Sequence, residues 1–562
     1  MDNQKNLLLA VVFSLIILIG FDFFFGPKKN IVNENMPKDN EKLQRADADA
    51  PTIDEDTFVK KSEKLSVNEK RIKFKAERIR GSINLFGGTI DDIILNDYFE
   101  SIEKKKNVHI LNKENSDSPY FLRLGWASTD KSLELPNKNS LWKATKDQFE
   151  MENIKLQWKN KNGLQINREI SFDENFMITI TDEVINNSKE TLELTNFSYL
   201  RRKNYMPENK FFILHEGPLG VFNDTLKEIS YEELEENNEI IESTTNGWIG
   251  YTDHYWQIAI FPDTNESFKA RFKSLSNKKD SIQIDFINNN IKSIKPTESL
   301  KTKSYIFAGA KEVPLIDQYI ENLNVNKLDL SVDFGWFYFL TKPLFYALHF
   351  LSTIFQNFGV GIIILTICIR IVLFPLANKS FKSMNSMRIL TPEIKRIRER
   401  YKDDRQKMNQ EMFALYREKK INPAAGCLPI LIQIPIFFAL YKVLFVSIEM
   451  RHAPFFGWIK DLSAPDPTSL FNLFGLIPWD TPSFLTIGVW PLLMGLTMYL
   501  QQKINPPPPD PIQAKIFMML PFIFTFLLAT FPSGMVVYWT INNILSIGQQ
   551  YILLNKQTKE KT

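Results

Sequence analysis

The chain has 562 residues, 44% hydrophobic, with 68 Lys+Arg against 65 Asp+Glu and a net charge of +3. Its two cysteines are Cys368 and Cys427. A disulfide framework across residues 28–330 is therefore excluded, and no Cys/His cluster has zinc spacing. Residues 28–330 are polar and residues 331–555 hold most of the long apolar runs, which indicates a membrane protein with a large water-soluble part.

The chain opens with an apolar run from Leu7 to Phe25. It is longer than the core of a signal peptide, and no small-x-small cleavage site follows, so residues 1–27 read as an uncleaved transmembrane anchor. Residues 28–70, rich in Lys, Asn, Asp, Glu and Pro, read as a flexible linker. From 71 to 325 apolar residues alternate with polar ones, as in Leu164, Ile166, Ile170 and Phe172, then Phe176, Ile178 and Ile180, and later Ile282, Ile284 and Phe286. Period-two runs broken by Asn/Asp/Gly/Lys clusters predict antiparallel strands with one buried face, and this length predicts a large β-sandwich. Gly87-Gly88 marks a turn. No helix start follows it, so it is a poor phosphate loop.

The aromatic stretch Asp333–Phe355 suits an interfacial amphipathic helix, within a segment 326–357 that leads into the second span. The apolar run from Phe358 to Ala377 is long enough to cross a bilayer, yet contains Arg370. Further spans are read at Cys427–Val446, Phe484–Gln501, Ile516–Phe531 and Met535–Leu553. The last two form a tight hairpin about Pro532-Ser533-Gly534. This gives six spans, five of them in a core at 358–555, and a short basic tail at 556–562.

Between the second and third spans, Asn378–Ile421 carries 13 Lys+Arg and 6 Asp+Glu, net +7 (13 − 6). The positive-inside rule places this stretch in the cytoplasm, and parity then puts both termini inside and the β domain outside. Met384, Met387, Leu390, Ile394, Ile397 and Tyr401 follow helical spacing. KDDRQ (Lys402–Gln406) interrupts it, and Met408, Met412 and Leu415 resume it. Two short amphipathic helices packed as a hairpin over 379–421 are expected. Their basic faces, with Arg388, Lys395, Arg396, Arg398, Arg400, Lys402 and Arg405, suit ribosomal RNA, anionic lipid or a targeting partner.

The Arg370 span with Pro375, the basic hairpin, NPAAGCLPILIQIPIFFALY (Asn422–Tyr441) and FPSGMVVYWTINN (Phe531–Asn543) stand in one order over about 230 residues. In this they resemble the YidC/Oxa/Alb membrane-protein insertase family. The opening MDNQKNLL and the β domain resemble its Gram-negative bacterial form, in which an anchor and a periplasmic β-supersandwich precede a five-helix core. The resemblance implies an inner-membrane insertase and chaperone for newly made membrane proteins, working alone or beside the Sec translocon. It implies no cofactor, no metal and no small-molecule substrate. Its partners would be nascent clients, Sec components, the ribosome and targeting factors, and lipids.

In that family the core helices enclose a hydrophilic intramembrane groove, and Arg370 matches its basic residue. Pro375 and Asn378 mark the cytoplasmic end of the span, and Arg370 lies about 12 Å deeper, where a charge usually faces a water-filled cavity. Thr366 lies one turn away on the same face. Gln433, Asn542 and Asn543 are amides inside spans and need partners, either in the groove or on another helix. Tyr538 and Trp539 match positions that line the family's substrate path. Pro429 and Pro435 can bend the third span. Lys442, in the outer part of that span, either snorkels to the interface or adds a second positive charge near the groove.

Three other readings compete. A proton-coupled transporter would need acidic or His relays at depth, and the core spans carry none. An enzyme in the β domain would rest on Asp253 and His254 in GWIGYTDHYW (Gly247–Trp256), a pair that more often forms a structural hydrogen bond. A scaffold for the translocon, without autonomous insertion, is the third.

Overall fold

The structure is a computed structural model that describes residues 69–144, 153–203, 214–262, 266–275, 281–323, 325–402, 404–419, 428–477, 479, 482, 486–504 and 511–559. The anchor at 1–27, nearly all of the linker, Cys427 and the Pro506–Pro509 run lie outside the described residues. The chain divides into two compact units, Met1–Trp336 and Phe337–Thr562.

The first unit is the expected antiparallel sandwich. Among the described residues one sheet has ten strands and the other nine. The alternation read in the sequence is the burial pattern: Leu164–Phe172 pairs with Met177–Asn186 so that Ile166 faces Val184 and Ile170 faces Ile180, with all four buried. Inward apolar rows on both sheets supply the core. One polar pair crosses it. Arg168 is opposite Asp182 on the neighbouring strand and donates Nε and Nη2 to that carboxylate, both at 2.7 Å. Trp126 Nε1 donates to Asp182 at 2.9 Å, and Arg168 Nη1 reaches the Leu124 carbonyl at 3.2 Å. Trp126 and Leu124 belong to the other sheet, so the ion pair ties the two layers together with each guanidinium nitrogen of Arg168 and both carboxylate oxygens of Asp182 engaged. Gly87 and Gly88 both take positive φ in the expected turn. Two short helices, α1 (Tyr231–Asn237) and α2 (Val313–Leu323), complete the unit.

The second unit is helical: α3 (Tyr338–Phe355), α4 (Phe358–Arg400), α5 (Arg405–Glu418), α6 (Leu428–Val446), α7 (Val489–Ile504), α8 (Pro511–Leu527) and α9 (Ser533–Lys559). Within α4, Phe358–Ser383 is long and apolar enough to cross a membrane, and Gln433–Val446 and Ala514–Thr530 are shorter apolar helices.

Two expectations are corrected. The first arm of the basic hairpin is not a separate short helix: α4 runs unbroken for 43 residues, past Asn378 and with Pro375 and Pro392 inside it, and its far half is that arm. Each proline removes one backbone hydrogen bond. The helix continues past Pro392 because Leu390 and Ile394 are buried against Leu415, with Ile397, Met412 and Tyr416 around them. The hairpin turn itself falls where KDDRQ broke the pattern, and the Asp404 side chain caps α5 by accepting from Lys407 N at 3.0 Å. The α8–α9 pair is splayed rather than a tight hairpin, because α8 packs chiefly on α7, and α9 on α7 and α4. Gly495 makes the α7–α8 approach possible: a Cβ there would lie 2.0 Å from Thr525 Oγ1.

Candidate functional site

Polar side chains of α9 hold Arg370 of α4, and one from α6 joins them. Along α9, Tyr538, Asn542 and Ser546 recur every four residues and so share one stripe. That stripe faces α4. Arg370 Nε donates to Asn542 Oδ1 at 2.9 Å, and its Nη2 donates to the Asn542 carbonyl at 3.2 Å and to Ser546 Oγ at 2.5 Å. From α6, Gln433 Nε2 donates to the same Asn542 Oδ1 at 3.3 Å. Two turns along, Gln549 donates to Asn378 at 3.3 Å, extending the polar seam between α4 and α9.

Arg370 is half-buried, and its hydrogen-bond partners Asn542 and Ser546 are neutral. Among the described residues no carboxylate pairs with it. The guanidinium therefore keeps its full positive charge inside an apolar helix bundle, where water screens it poorly.

The wall beside this site is aromatic. Gln433, Phe437, Tyr441 and Phe445 form one stripe of α6 at four-residue spacing. Trp539 stacks on Phe437 with centroids 5.0 Å apart, Tyr441 stacks on Phe445 at 5.8 Å, and Phe531 lies 6.4 Å from Tyr441. Tyr538, at the head of the α9 polar stripe, is buried.

The remaining sequence candidates disperse. Thr366 is buried and returns its hydroxyl to the Ile362 carbonyl at 2.6 Å, within its own helix. Asn543 turns away from Arg370 and donates to Thr497 on α7 at 3.3 Å. Lys442 stands nine residues beyond Gln433, about 180° round α6 at 100° per residue, so the two occupy opposite faces. On the hairpin, Lys395, Arg396, Arg400 and Lys402 are exposed and Arg398 is half-buried. Arg388 and Arg405 lie on α4 and α5. In the β unit, Asp253 accepts from Arg202 Nη1 at 2.7 Å and His254 stacks on Tyr255, so this pair is engaged in structure.

Three contributors escape a reading of the sequence. Ser546 is i+4 from Asn542, a spacing that signals only once α9 is known to face α4. The Phe437/Tyr441 stripe reads as ordinary span composition. Asp466 is a buried carboxylate that organises the segment joining α6 to α7. Its side chain accepts from Thr468 N and Oγ1 at 3.0 and 2.6 Å, Trp458 Nε1 at 3.1 Å and Trp490 N at 2.9 Å. The same segment meets the start of α9, where Ser533 N and Gly534 N donate to the Ala464 and Leu462 carbonyls at 2.8 and 2.9 Å.

Comparison with known proteins bears on both units. Residues 350–561 match the family profile described as 60Kd inner membrane protein, and residues 71–347 match the YidC periplasmic domain. A Pelagibacter ubique protein named membrane protein insertase YidC is 42% identical over 570 residues, covering 100% of both chains. A Rickettsia rickettsii protein of the same name is 42% identical over 558 residues, covering 98% of this chain and 99% of that one. A crystal structure of an active YidC insertase, with its first transmembrane domain resolved, aligns over 86% of this chain and 93% of its own, at 17% identity and a TM-score of 0.36.

Proposed function

The chain belongs to the YidC family of inner-membrane protein insertases, which are not enzymes, and on that footing we propose that it receives newly made membrane proteins at the site built on Arg370. The observation that carries this reading is a cation held by neutral groups of α9 with, among the described residues, no carboxylate pairing it.

A client enters as an apolar segment with a short polar, often acidic, end that must cross the membrane. Moving a carboxylate into hydrocarbon is costly. Arg370 offsets that cost by attraction at low dielectric, and the amides of Gln433 and Asn542 and the hydroxyl of Ser546 offer hydrogen bonds to the polar backbone. The client's apolar segment passes along the aromatic wall of Phe437, Tyr441 and Trp539 into lipid, releasing free energy in proportion to its apolar area. The groove lowers a barrier and makes no covalent bond. The membrane potential adds drive through charge on the client.

In the same reading there are six crossings, with the amino and carboxyl termini cytoplasmic and the β unit periplasmic. The exposed cations of the hairpin suit anionic lipid, a ribosome or a targeting factor. Cooperation with the Sec translocon rests on the family resemblance.

The test is insertion into Sec-free liposomes of a single-span client with an acidic translocated end, scored by protection of that end from protease. Arg370→Ala should protect less than wild type, with Arg370→Lys between them, and a client whose acidic end is neutralised should discriminate less. Equal protection by wild type and Arg370→Ala would remove the arginine from the mechanism.

A further inference from the structure

We propose that the turn at Leu470–Ile477, in the segment joining α6 to α7, inserts among the acyl chains of the lipid leaflet on the side away from the basic hairpin. Six large apolar residues of this turn, Leu470, Phe471, Leu473, Phe474, Leu476 and Ile477, are exposed, Leu476 by 83%. Between Asp466 and Asp480 the sequence carries no charged residue. An exposed apolar cluster of this kind marks a surface that meets a partner or a membrane.

The backbone decides which. A chain that enters hydrocarbon must satisfy its own N–H groups, because no water is there to do it. All six residues meet that condition. Leu470 N donates to the Ile487 carbonyl at 2.9 Å, Leu473 N to the Leu470 carbonyl at 3.1 Å and Phe474 N to the Ser469 carbonyl at 2.7 Å. Leu476 N donates to the Leu473 carbonyl at 3.3 Å and Ile477 N to the Asn472 carbonyl at 3.0 Å. Phe471 N donates to Ser469 Oγ at 3.3 Å. None of these amides is left to offer a partner chain. Leu473 and Phe474 take left-handed backbone, with φ of 50° and 57°, to close the turn. A residue with a Cβ adopts that region at a cost. Neither side chain offsets it by packing inside the protein, since both stay half-exposed. The offset lies in what surrounds them.

The setting of the turn favours lipid over protein. Its bond from Leu470 to Ile487 ties it to the start of α7, and there Leu493, Leu496 and Leu500 form one exposed apolar stripe. Trp458 and Trp479 are exposed as well, and tryptophan favours the boundary between membrane and water. Trp458 Nε1 donates to Asp466, the buried carboxylate at the root of the turn, at 3.1 Å. A polar anchor at the base, tryptophans beside it and an uncharged apolar turn with closed amides together fit a segment dipping from the interface into one leaflet.

The proposal rests on α7 being a membrane crossing, and the test reads that separately. In the full-length protein carrying Cys368→Ser and Cys427→Ser, an environment-sensitive fluorophore is attached in turn to Leu476→Cys and Phe471→Cys in the turn, to Leu496→Cys on α7, and to Lys161→Cys on the exposed surface of the β unit. Each is placed in nanodiscs of dioleoyl-phosphatidylcholine and quenched either by the same lipid spin-labelled near the top of its acyl chain or by aqueous iodide. The ratio of lipid to iodide quenching at Leu476 and Phe471 should match that at Leu496 and exceed that at Lys161 by about tenfold, because hydrocarbon excludes the anion. Iodide quenching at both turn sites like that at Lys161, with Leu496 quenched by lipid, would place the turn in water and overturn the proposal. Protection of both turn sites from both quenchers would show that protein, a second copy of this chain, covers them, and the lipid assignment would fall. Iodide quenching at Leu496 itself would remove α7 from the membrane and the proposal with it.

Discussion

Arg370 and Asn542 are joined twice, once through the Asn542 side-chain oxygen at 2.9 Å and once through its backbone carbonyl at 3.2 Å. One asparagine thus fixes the plane of the guanidinium, and its side chain also takes the Gln433 amide. The cation is positioned without being neutralised, which leaves its charge for whatever enters.

Asn542→Leu should therefore cost about 2 kcal/mol of stability, because it strands two donors in an apolar bundle. It should also lower client protection in the direction of Arg370→Ala. Gln433→Leu removes a single 3.3 Å bond and should cost about 1 kcal/mol or less. Thermal unfolding in nanodiscs, read beside the liposome assay, ranks the three variants.

Asp466 holds the α6–α7 connection through four donors. Asp466→Ala should destabilise by about 2–3 kcal/mol. A cysteine placed at Ala464 should then react faster with a membrane-impermeant maleimide, as the contacts of that segment with Ser533 and Gly534 loosen. An unchanged labelling rate would show that the segment is held by its apolar contacts instead.

In the β unit, removing one partner of the buried Arg168–Asp182 pair should be far worse than removing both. Asp182→Ala should cost about 3–5 kcal/mol, whereas Arg168→Met with Asp182→Leu should recover much of the loss. Denaturant unfolding followed by tryptophan fluorescence measures both, since Trp126 donates to Asp182.

Lys311 gives the same unit a pH dependence. It is buried, with Nζ donating to Thr252 Oγ1 at 3.0 Å. Burial pushes its ammonium down to about 8, against the pull of Asp253, Asp333 and Glu216. Below that pH the folded and unfolded states are both protonated and the folded state bears the desolvation cost. Between about 8 and the ordinary lysine value of 10.5 only the unfolded state keeps the proton, so stability should rise with pH. The full rise is about 3 kcal/mol. Unfolding midpoints at pH 7.5 and 9.5 should differ in wild type, and Lys311→Met should flatten the slope.

Much of this was legible in the residues. Strands with a single buried face declare themselves by period two, and Leu164 to Ile180 did so directly. A cation in an apolar run declares itself as well, and Arg370 did. The partners did not, because they lie about 170 residues away and depend on which helices meet. Asn542 and Asn543 look equivalent in sequence, yet neighbouring positions on a helix point about 100° apart, so one reaches Arg370 and the other Thr497. The length of α4 was hidden for a local reason. Pro375 marks the end of the apolar span and so suggests a break before the hairpin, and only the packing of Leu390 and Ile394 on Leu415 explains why the helix runs on, even past Pro392. Asp466 lies in a connection without periodicity, where no pattern marks a buried cap.

The unbroken course of α4 makes it a lever. Its 43 residues extend about 63 Å, roughly twice the hydrocarbon thickness of a bilayer. Arg370, pinned to α9, is a natural fulcrum, and the hairpin end at Arg400 lies about 45 Å beyond it. A tilt of only about 5° about that point sweeps the hairpin tip through about 4 Å, whereas the short arm toward Phe358 moves by less than half as much. A large partner seated on the hairpin therefore has mechanical advantage over the helices around Arg370, and small adjustments there become motions large enough for that partner to register.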